Sequence, residues 1–439
     1  SRGTVFSSDT SNGSSNASTD STSTNTGLPD STTSAGATPW PKLGWGFWLA
    51  IAVGLALRAF FASNTTGTLD VDVWKLHTLA LEKQGLISYY QGGAMRFNHP
   101  PPAAWLISTL DAIASATGIS FAAMLRLPFA LFDLASVAFI LRILAGHRLA
   151  AIIAAAFWLH PLAIIYSSYH GNTDSSVAFF LLAATLLVSR NRGLWAGVVL
   201  GLSLWIKIPG VVAGPIFLFA LADNKQRIHF CLAGAATVLL GFGPALLTNA
   251  SAVINAVFLY PGLAIHTSSG ITTWGLANFF PDIGSLPQSM RLGALDLRDA
   301  IARYNSVICI APMVVLAWLR RDKRRANEIA TTIAFAFALF YGLTNFWAFQ
   351  YFAWTVPFWL LAPRWFGISA SLVASVYIYG AYAWMCGDLL LVGTWDFIGK
   401  PDWPAWLIAA RNAANLFFLV AGLAMLVAAV REAKTAKAS

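Results

Sequence analysis

Apolar stretches long enough to cross a bilayer recur from residue 44 to residue 430. Lipid offers no water to bond backbone N–H and C=O groups, so such stretches read as helices that satisfy those groups internally. A mean hydropathy of +0.63 is far too high for a soluble domain. The expectation is an all-α polytopic membrane protein with about 12 transmembrane helices, within a range of roughly 10–13. The spans fall near 44–62, 122–143, 149–166, 176–189, 194–206, 210–222, 229–248, 301–319, 327–344, 351–362, 367–386 and 404–430. The pair flanking Pro209 is short and must be tilted or broken. The run "PPAAWLISTLDAIASATG" (101–118) could also span. It is read instead as a helix on the outer face, because only then do the charges fall into order.

With the N-terminus inside, the inner connections hold Arg142, Arg148, Arg190, Arg192, Lys225, Arg227, the cluster "RRDKRR" (320–325), Arg364, Arg431, Lys434 and Lys437. That is the positive-inside pattern. The net charge of +9 is thus a topological signal, and no nucleic-acid partner is expected. Both termini are expected in the cytoplasm, and two long outer segments remain, about 63–121 and 249–300. The expected setting is a plasma membrane of the bacterial inner-membrane kind, with the active site on the extracytoplasmic face.

Residues 1–42 are Ser/Thr/Asn-rich with almost no large apolar side chain, so they cannot bury a core and are expected to be a disordered tail. Residues 43–431 form the membrane domain, and 432–439 are expected to be a cytoplasmic tail. Cys231, Cys309 and Cys386 show neither metal spacing nor a disulfide framework.

"TLDVDVWKLH" (68–77) places Asp70 and Asp72 at the start of the first outer segment. Asp72 stands where the N-cap of a helix over "VWKLHTLALEKQ" would be. That helix is amphipathic, with Val73, His77, Ala80 and Leu81 on one side and Lys75, Thr78 and Glu82 on the other, so it is expected on the membrane surface. Capping needs only one acid. A second acid beside it points to chemistry by one member of the pair.

Other unusual polar residues share the outer face. "NHPPPAAW" carries His99, and "SSYHGNTDSS" carries His170, Asn172 and Asp174. "WIKIPG" carries Lys207. "HTSSGITTWG" carries His266 and Trp274 and is followed by Arg291, Arg298 and Arg303. "NFWAFQYFAWTVP" carries Gln350. Simpler readings exist for several: helix caps at 172–174, a snorkelling Lys207, and an interfacial aromatic belt at 345–357. Asp133, the one acid near the middle of a span, is expected to bond to a neighbouring helix.

An acid pair, several histidines and a few cations at one membrane surface suit a substrate with its tail in lipid and a charged head at the interface. A carboxylate would take a proton from an attacking hydroxyl, and cations would hold a departing phosphate. HExxH, P-loop and GxSxG patterns are all missing, so a soluble nucleotide donor is not expected.

At these motifs the sequence resembles the glycosyltransferase-C superfamily, membrane transferases that use polyprenyl-phosphate sugars. "LDVDVWKLH" resembles its acidic motif in the first outer loop, "NHPPPAAW" its "YPP" element, and "HGNTDS" a motif of bacterial and GPI-anchor mannosyltransferases. "KIPG" and "QYFAWTVP" resemble further elements, so that the likeness covers roughly 44–362. It implies a GT-C-like catalytic domain that moves one mannose- or glucose-type sugar, with inversion, from a polyprenyl-phosphate donor to a hydroxyl of a lipid-linked or glycan acceptor. Carried over, Asp72 would be the base with Asp70 second, and Lys207 would bind the donor phosphate, with Arg298 and Arg303 as further candidates. His99, His170, Asn172, Asp174, His266, Trp274 and Gln350 would bind substrate. The family works without a cofactor, although Asp70 and Asp72 could hold a divalent ion. The alternatives are a same-fold transferase acting on protein or lipid A, and a lipid-linked sugar flippase. A flippase would favour inverted repeats and ionisable groups near the midplane, where only Asp133 lies.

Overall fold

The computed structural model describes residues 40–92, 97–259, 274–276, 286–345, 347–397, 399–400 and 402–438. Apart from residues 40–42, the tail expected at 1–42 lies outside them. The described residues form helices and turns, with no strand among them. α1 (Trp45–Asn64) is followed by α2 (Leu69–Gln84), α3 (Leu86–Gln91), α4 (Pro101–Thr117) and α5 (Phe121–Ile143). α6 (Ala150–Trp158) bends into α7 (Pro161–Ile164), which continues as a π-helical turn over Ile165–His170. Then come α8 (Ser175–Ser189), α9 (Gly193–Ile206), α10 (Gly214–Ala220), α11 (Asn224–Val253), α12 (Gln288–Arg303) and α13 (Asn305–Leu319). The chain ends in α14 (Ala326–Leu343), α15 (Val356–Leu361), α16 (Arg364–Cys386) and α17 (Ala405–Ala438).

Helices stand over each expected span, but not all are long enough to cross. Among the described residues, α1, α5, α11, α14, α16 and α17 have the length and apolarity of a span, giving 6. Two bent pairs, α6 with 161–170 (47°) and α12 with α13 (59°), raise this to 8. The expected count of about 12 is not reached. α8 and α9 have only 15 and 14 residues. The chain beyond α9 breaks at the extended Lys207 (φ −151°) and a 3-10 turn over Ile208–Ala213, because Pro209 lacks the N–H a continuous helix needs. At the other end, the segment expected to be a tail at 432–439 continues α17 as far as Ala438.

α9 packs parallel to α11 through Gly193, Gly197 and Gly201. A Cβ at these three would fall 2.1 Å from Gln226 O, 2.2 Å from Phe230 O and 2.6 Å from Thr237. Small residues at this spacing let two backbones touch where apolar burial provides no drive for association. Asp133 finds its partner as expected. Arg58 Nη2 lies 3.0 Å from Asp133 Oδ2, its guanidinium sits over the Trp158 ring (3.7 Å), and the pair is buried.

Paired contacts sort the connections into two ends. At one, Asn191 bonds Asp223 (2.8 Å), Arg142 lies over Trp40 (4.2 Å), and Lys323 approaches Glu432 (3.8 Å), so the basic turns share this end. At the other, Arg126 binds the last carbonyls of α1 (Phe61, Ala62 and Thr65), and Asn305 ties the start of α13 to Leu343 O (2.9 Å). α2, α3 and α4 lie at this second end, where Asp111 of α4 accepts from Lys75 (2.5 Å) and Thr78 (2.8 Å) of α2. That contact buries Thr78, which the sequence placed on the polar side of α2, and leaves Leu69, Leu76 and Leu79 exposed.

The aromatic belt expected at 345–357 is interior. Trp347, Tyr351, Phe352 and Trp354 are buried and pack edge-on and stacked against Tyr341, Trp274 and one another. Aromatic-rich stretches look alike whether they face lipid or a neighbouring helix, and here the 3-10 turn Phe349–Trp354 turns them inward.

Candidate active site

α2 starts earlier than its sequence suggests. Thr68 is the N-cap: its hydroxyl oxygen accepts from Asp70 N (3.3 Å) and donates to His170 O (2.8 Å). Asp72 is therefore not the cap. Both acids lie in the first turn, where the helix dipole favours carboxylates. Positions two apart on a helix point to nearly opposite sides. Asp70 turns toward the bundle, while Asp72 is exposed and forms no bond to a described residue.

The "HGN" loop meets Asp70 there. Gly171 (φ +79°) lies so close to α2 that a Cβ would sit 2.3 Å from Val71 Cγ2, so only glycine permits the approach. His170, at the end of the π-helical turn, places Nε2 3.0 Å from Asp70 Oδ2, and Asn172 Nδ2 donates to the same oxygen (2.5 Å). On its other side, His170 Nδ1 bonds the Tyr382 hydroxyl. If Nδ1 accepts that proton, Nε2 carries the hydrogen that is donated to Asp70. The order Tyr382–His170–Asp70 thus fixes one carboxylate oxygen and leaves Oδ1 for a substrate. The Asp70 side chain is 36% exposed, so it is reachable from that end of the bundle.

Burial works to raise the Asp70 carboxyl. The adjoining His170, the hydrogen bonds from His170 and Asn172, and the charge of Lys207 outweigh it, so the group is held below the ordinary carboxylate value. The arrangement trades basicity for permanent ionisation.

The network continues inward. Asn172 Oδ1 accepts from Thr173 N (2.6 Å) and from Lys207 Nζ (3.4 Å). Lys207 sits 3.0 Å from Asp174 Oδ2, and Trp354 Nε1 donates to Asp174 Oδ1 (2.7 Å). Asp174 is buried, so Lys207 serves as its counter-ion and reaches the site already half-neutralised.

A second group borders Asp70 on α2 and the chain before α4. His77 Nδ1 meets the Tyr89 hydroxyl (2.6 Å), and burial pushes the His77 imidazole down to about 4. His99 lies against Trp74 (4.3 Å between rings), and burial, then Lys207 and His77, hold it well below its usual value. Both imidazoles are neutral at neutral pH; a neutral imidazole has one donor and one acceptor nitrogen, and His77 already uses Nδ1 on Tyr89.

Of the residues expected from the sequence, Asp70, His170, Asn172, Asp174 and Lys207 are joined in one network, and His99 lies beside Trp74 near it. Gln350 is half-buried on the turn that supplies Trp354. Trp274 is core: fully buried, it donates to Tyr341 O (2.6 Å) and stacks on Trp347 (3.9 Å). Arg298 and Arg303 stand on α12, which buries none of its residues, and Arg298 pairs with Asp299 (3.1 Å). His266 lies outside the described residues. Among the described residues no three His, Cys, Asp or Glu are grouped to hold a metal ion. Sequence reasoning missed Tyr382, a tyrosine in an apolar helix with nothing nearby to mark it, and His77, which read as part of an amphipathic pattern.

The model of glycosyltransferase family 87 matches residues 97–340, more than half of the chain. GPI mannosyltransferase 1 of Kluyveromyces lactis is 25% identical over 248 residues, which are 54% of this chain and 59% of that protein. The chain thus spans well under two thirds of that relative's length.

Proposed function

This chain belongs to glycosyltransferase family 87, and from that premise we propose that it transfers one mannose- or glucose-type sugar from a polyprenyl-phosphate donor to a hydroxyl acceptor. The observation that carries this reading is the Tyr382–His170–Asp70 network at the end of the bundle opposite the basic turns. By the positive-inside rule that end faces away from the cytoplasm. α1 begins and α17 ends at the basic end, which requires an even number of crossings. On this reading α8, α9, the 208–220 segment and the 349–361 segment cross within the bundle, and the count returns to about 12. Of the two sugar types, mannose has the support of the name of the Kluyveromyces lactis relative.

In the reaction the acceptor oxygen attacks the anomeric carbon as the bond to the phosphate oxygen breaks. Polyprenyl phosphate leaves with the bonding pair, and the acceptor proton passes to Asp70 Oδ1. A single in-line attack inverts the anomeric centre. Asp70 is the base on geometry, since Asp72 is outside the network. His99 and His77, both neutral, lie where sugar hydroxyls would be held. Lys207 adds positive potential near the leaving phosphate, tempered by Asp174.

The test incubates purified protein in lipid with a panel of polyprenyl-phosphate sugars and an acceptor lipid fraction, and detects free polyprenyl phosphate. One donor should be consumed with release of the free lipid phosphate. No release with any donor, alongside movement of intact donor across a sealed vesicle, would replace the transferase by a flippase.

A further inference from the structure

Among the described residues, α12 (Gln288–Arg303) packs closely only against α13, the helix it continues into. None of its residues is buried, and Met290 and Leu297 are 58% and 53% exposed. Its apolar residues are nevertheless ordered. Met290, Ala294, Leu297 and Ile301 recur at i, i+4, i+7 and i+11, one stripe of a helix, with Arg291 and Arg298 along one edge of it. Leu292 and Leu295 lie outside the stripe. Asp296, Asp299 and Arg303 occupy the opposite, polar side.

The junction with α13 fixes the position of α12. α12 turns through 59° into α13 at Tyr304, and Asn305, the first residue of α13, is held to Leu343 O and Asn345 N (2.9 Å each) at the site-bearing end of the bundle. A helix of 16 residues, about 24 Å long, that leaves the end of a membrane helix through a 59° bend is placed to run along the membrane surface. An amphipathic helix there gains by sinking its apolar stripe to the acyl boundary, while arginines on its edge meet phosphates.

We propose that α12 lies in the membrane interface at the site-bearing end. Met290, Ala294, Leu297 and Ile301 enter the acyl layer, and Arg291 and Arg298 bind the phosphates of lipid headgroups. This gives Arg298 a role outside the transfer site, and it holds whichever donor the enzyme uses. Arg298 already pairs with Asp299, a surface pair that costs little to exchange for a headgroup.

The test uses the full chain in nanodiscs. Cys231, the exposed native thiol, is first replaced (Cys231→Ser). Leu297→Cys and Asp299→Cys are then labelled separately with an environment-sensitive fluorophore, and spin-labelled lipid is added. The probe at 297 should emit to the blue of the probe at 299 and be quenched severalfold more. Adding Arg291→Gln and Arg298→Gln should lower the docking equilibrium constant by about fivefold per arginine when anionic lipid is present, from roughly 1 kcal/mol per cation at such a surface. Equal quenching at both positions overturns the proposal. So does a 297 probe that is shielded equally in detergent and lipid and untouched by the quencher, which would place protein on that face. Unchanged docking in the arginine variant overturns the headgroup contact.

Discussion

Asp70→Asn can keep the shape of the site while removing its base. Rotated so that its oxygen stands at the Oδ2 position, the new amide would still accept from His170 Nε2 and Asn172 Nδ2, now 3.0 and 2.5 Å from that oxygen. The amide nitrogen then occupies the open Oδ1 side, where it donates and cannot take a proton. Hydrogen bonds to a charged acceptor are about twice as strong as neutral ones, so the two contacts weaken by roughly 1 kcal/mol each, less what solvent removes at a part-exposed group. The local loss is about 2 kcal/mol at most, and a multi-span bundle should remain folded. The kinetic loss is larger. General-base catalysis contributes about 10²-fold to 10⁴-fold, so single-turnover transfer should slow by at least roughly two orders of magnitude, near 3 kcal/mol of barrier. Donor binding should hardly change. Asp72→Asn is the control. Asp72 is exposed and outside the network, so the effect should stay within about 0.5 kcal/mol. The assay is single-turnover transfer with both variants in lipid, with and without chelator, beside a donor-binding isotherm. Near-normal transfer in Asp70→Asn with a dead Asp72→Asn would refute the geometric argument and restore the assignment drawn from family resemblance. Normal transfer in both would end the catalytic reading of the motif. Loss in both that chelator reproduces in the native protein would mean a metal.

Lys207→Ala should destabilise before it affects binding: it strands the buried Asp174 carboxylate with Trp354 as its remaining partner, a loss of about 3–5 kcal/mol read as a lowered thermal midpoint. The double variant Lys207→Met with Asp174→Asn should recover most of that stability, and any remaining loss of donor affinity is the phosphate contribution; recovery of neither would refute the pairing argument. His77 is held at about 4 when folded against 6.5 unfolded, so the unfolded chain binds the extra proton between these values. Its stability contribution is full above pH ~6.5 and falls by up to about 3 kcal/mol as the pH drops toward 4. Thermal midpoints across that window should slope down with acid, and His77→Gln should flatten the slope. A cysteine in place of Lys323 should label from the cytoplasmic side and one in place of Asp72 from the other, measured with an impermeant maleimide; labelling of both from one side would contradict the separation of the two ends.

The membrane character, the all-helical class and the positions of the apolar helices were legible in the sequence, because hydropathy acts along the chain and lipid leaves helices as the available answer for such runs. So was the division of charge between the ends, since each crossing inverts the next connection. The grouping of "DVD", "HGNTD" and "KIPG" at one end comes from the same alternation, and Asp70, His170, Asn172 and Lys207 do meet. What the chain order does not carry is which side of a helix faces which neighbour. Asp70 and Asp72 are two residues apart and equivalent in one dimension. Docking of α2 on Gly171 and on Asp111 turns one inward and leaves the other in solvent. Tyr382 reaches His170 from 212 residues away, Trp354 reaches Asp174 from 180, and Trp274 closes on Tyr341 from 67. The partner that neutralises Lys207 and the burial of the supposed aromatic belt belong to the same class. These are contacts between faces of separate helices, and only packing in three dimensions selects the faces.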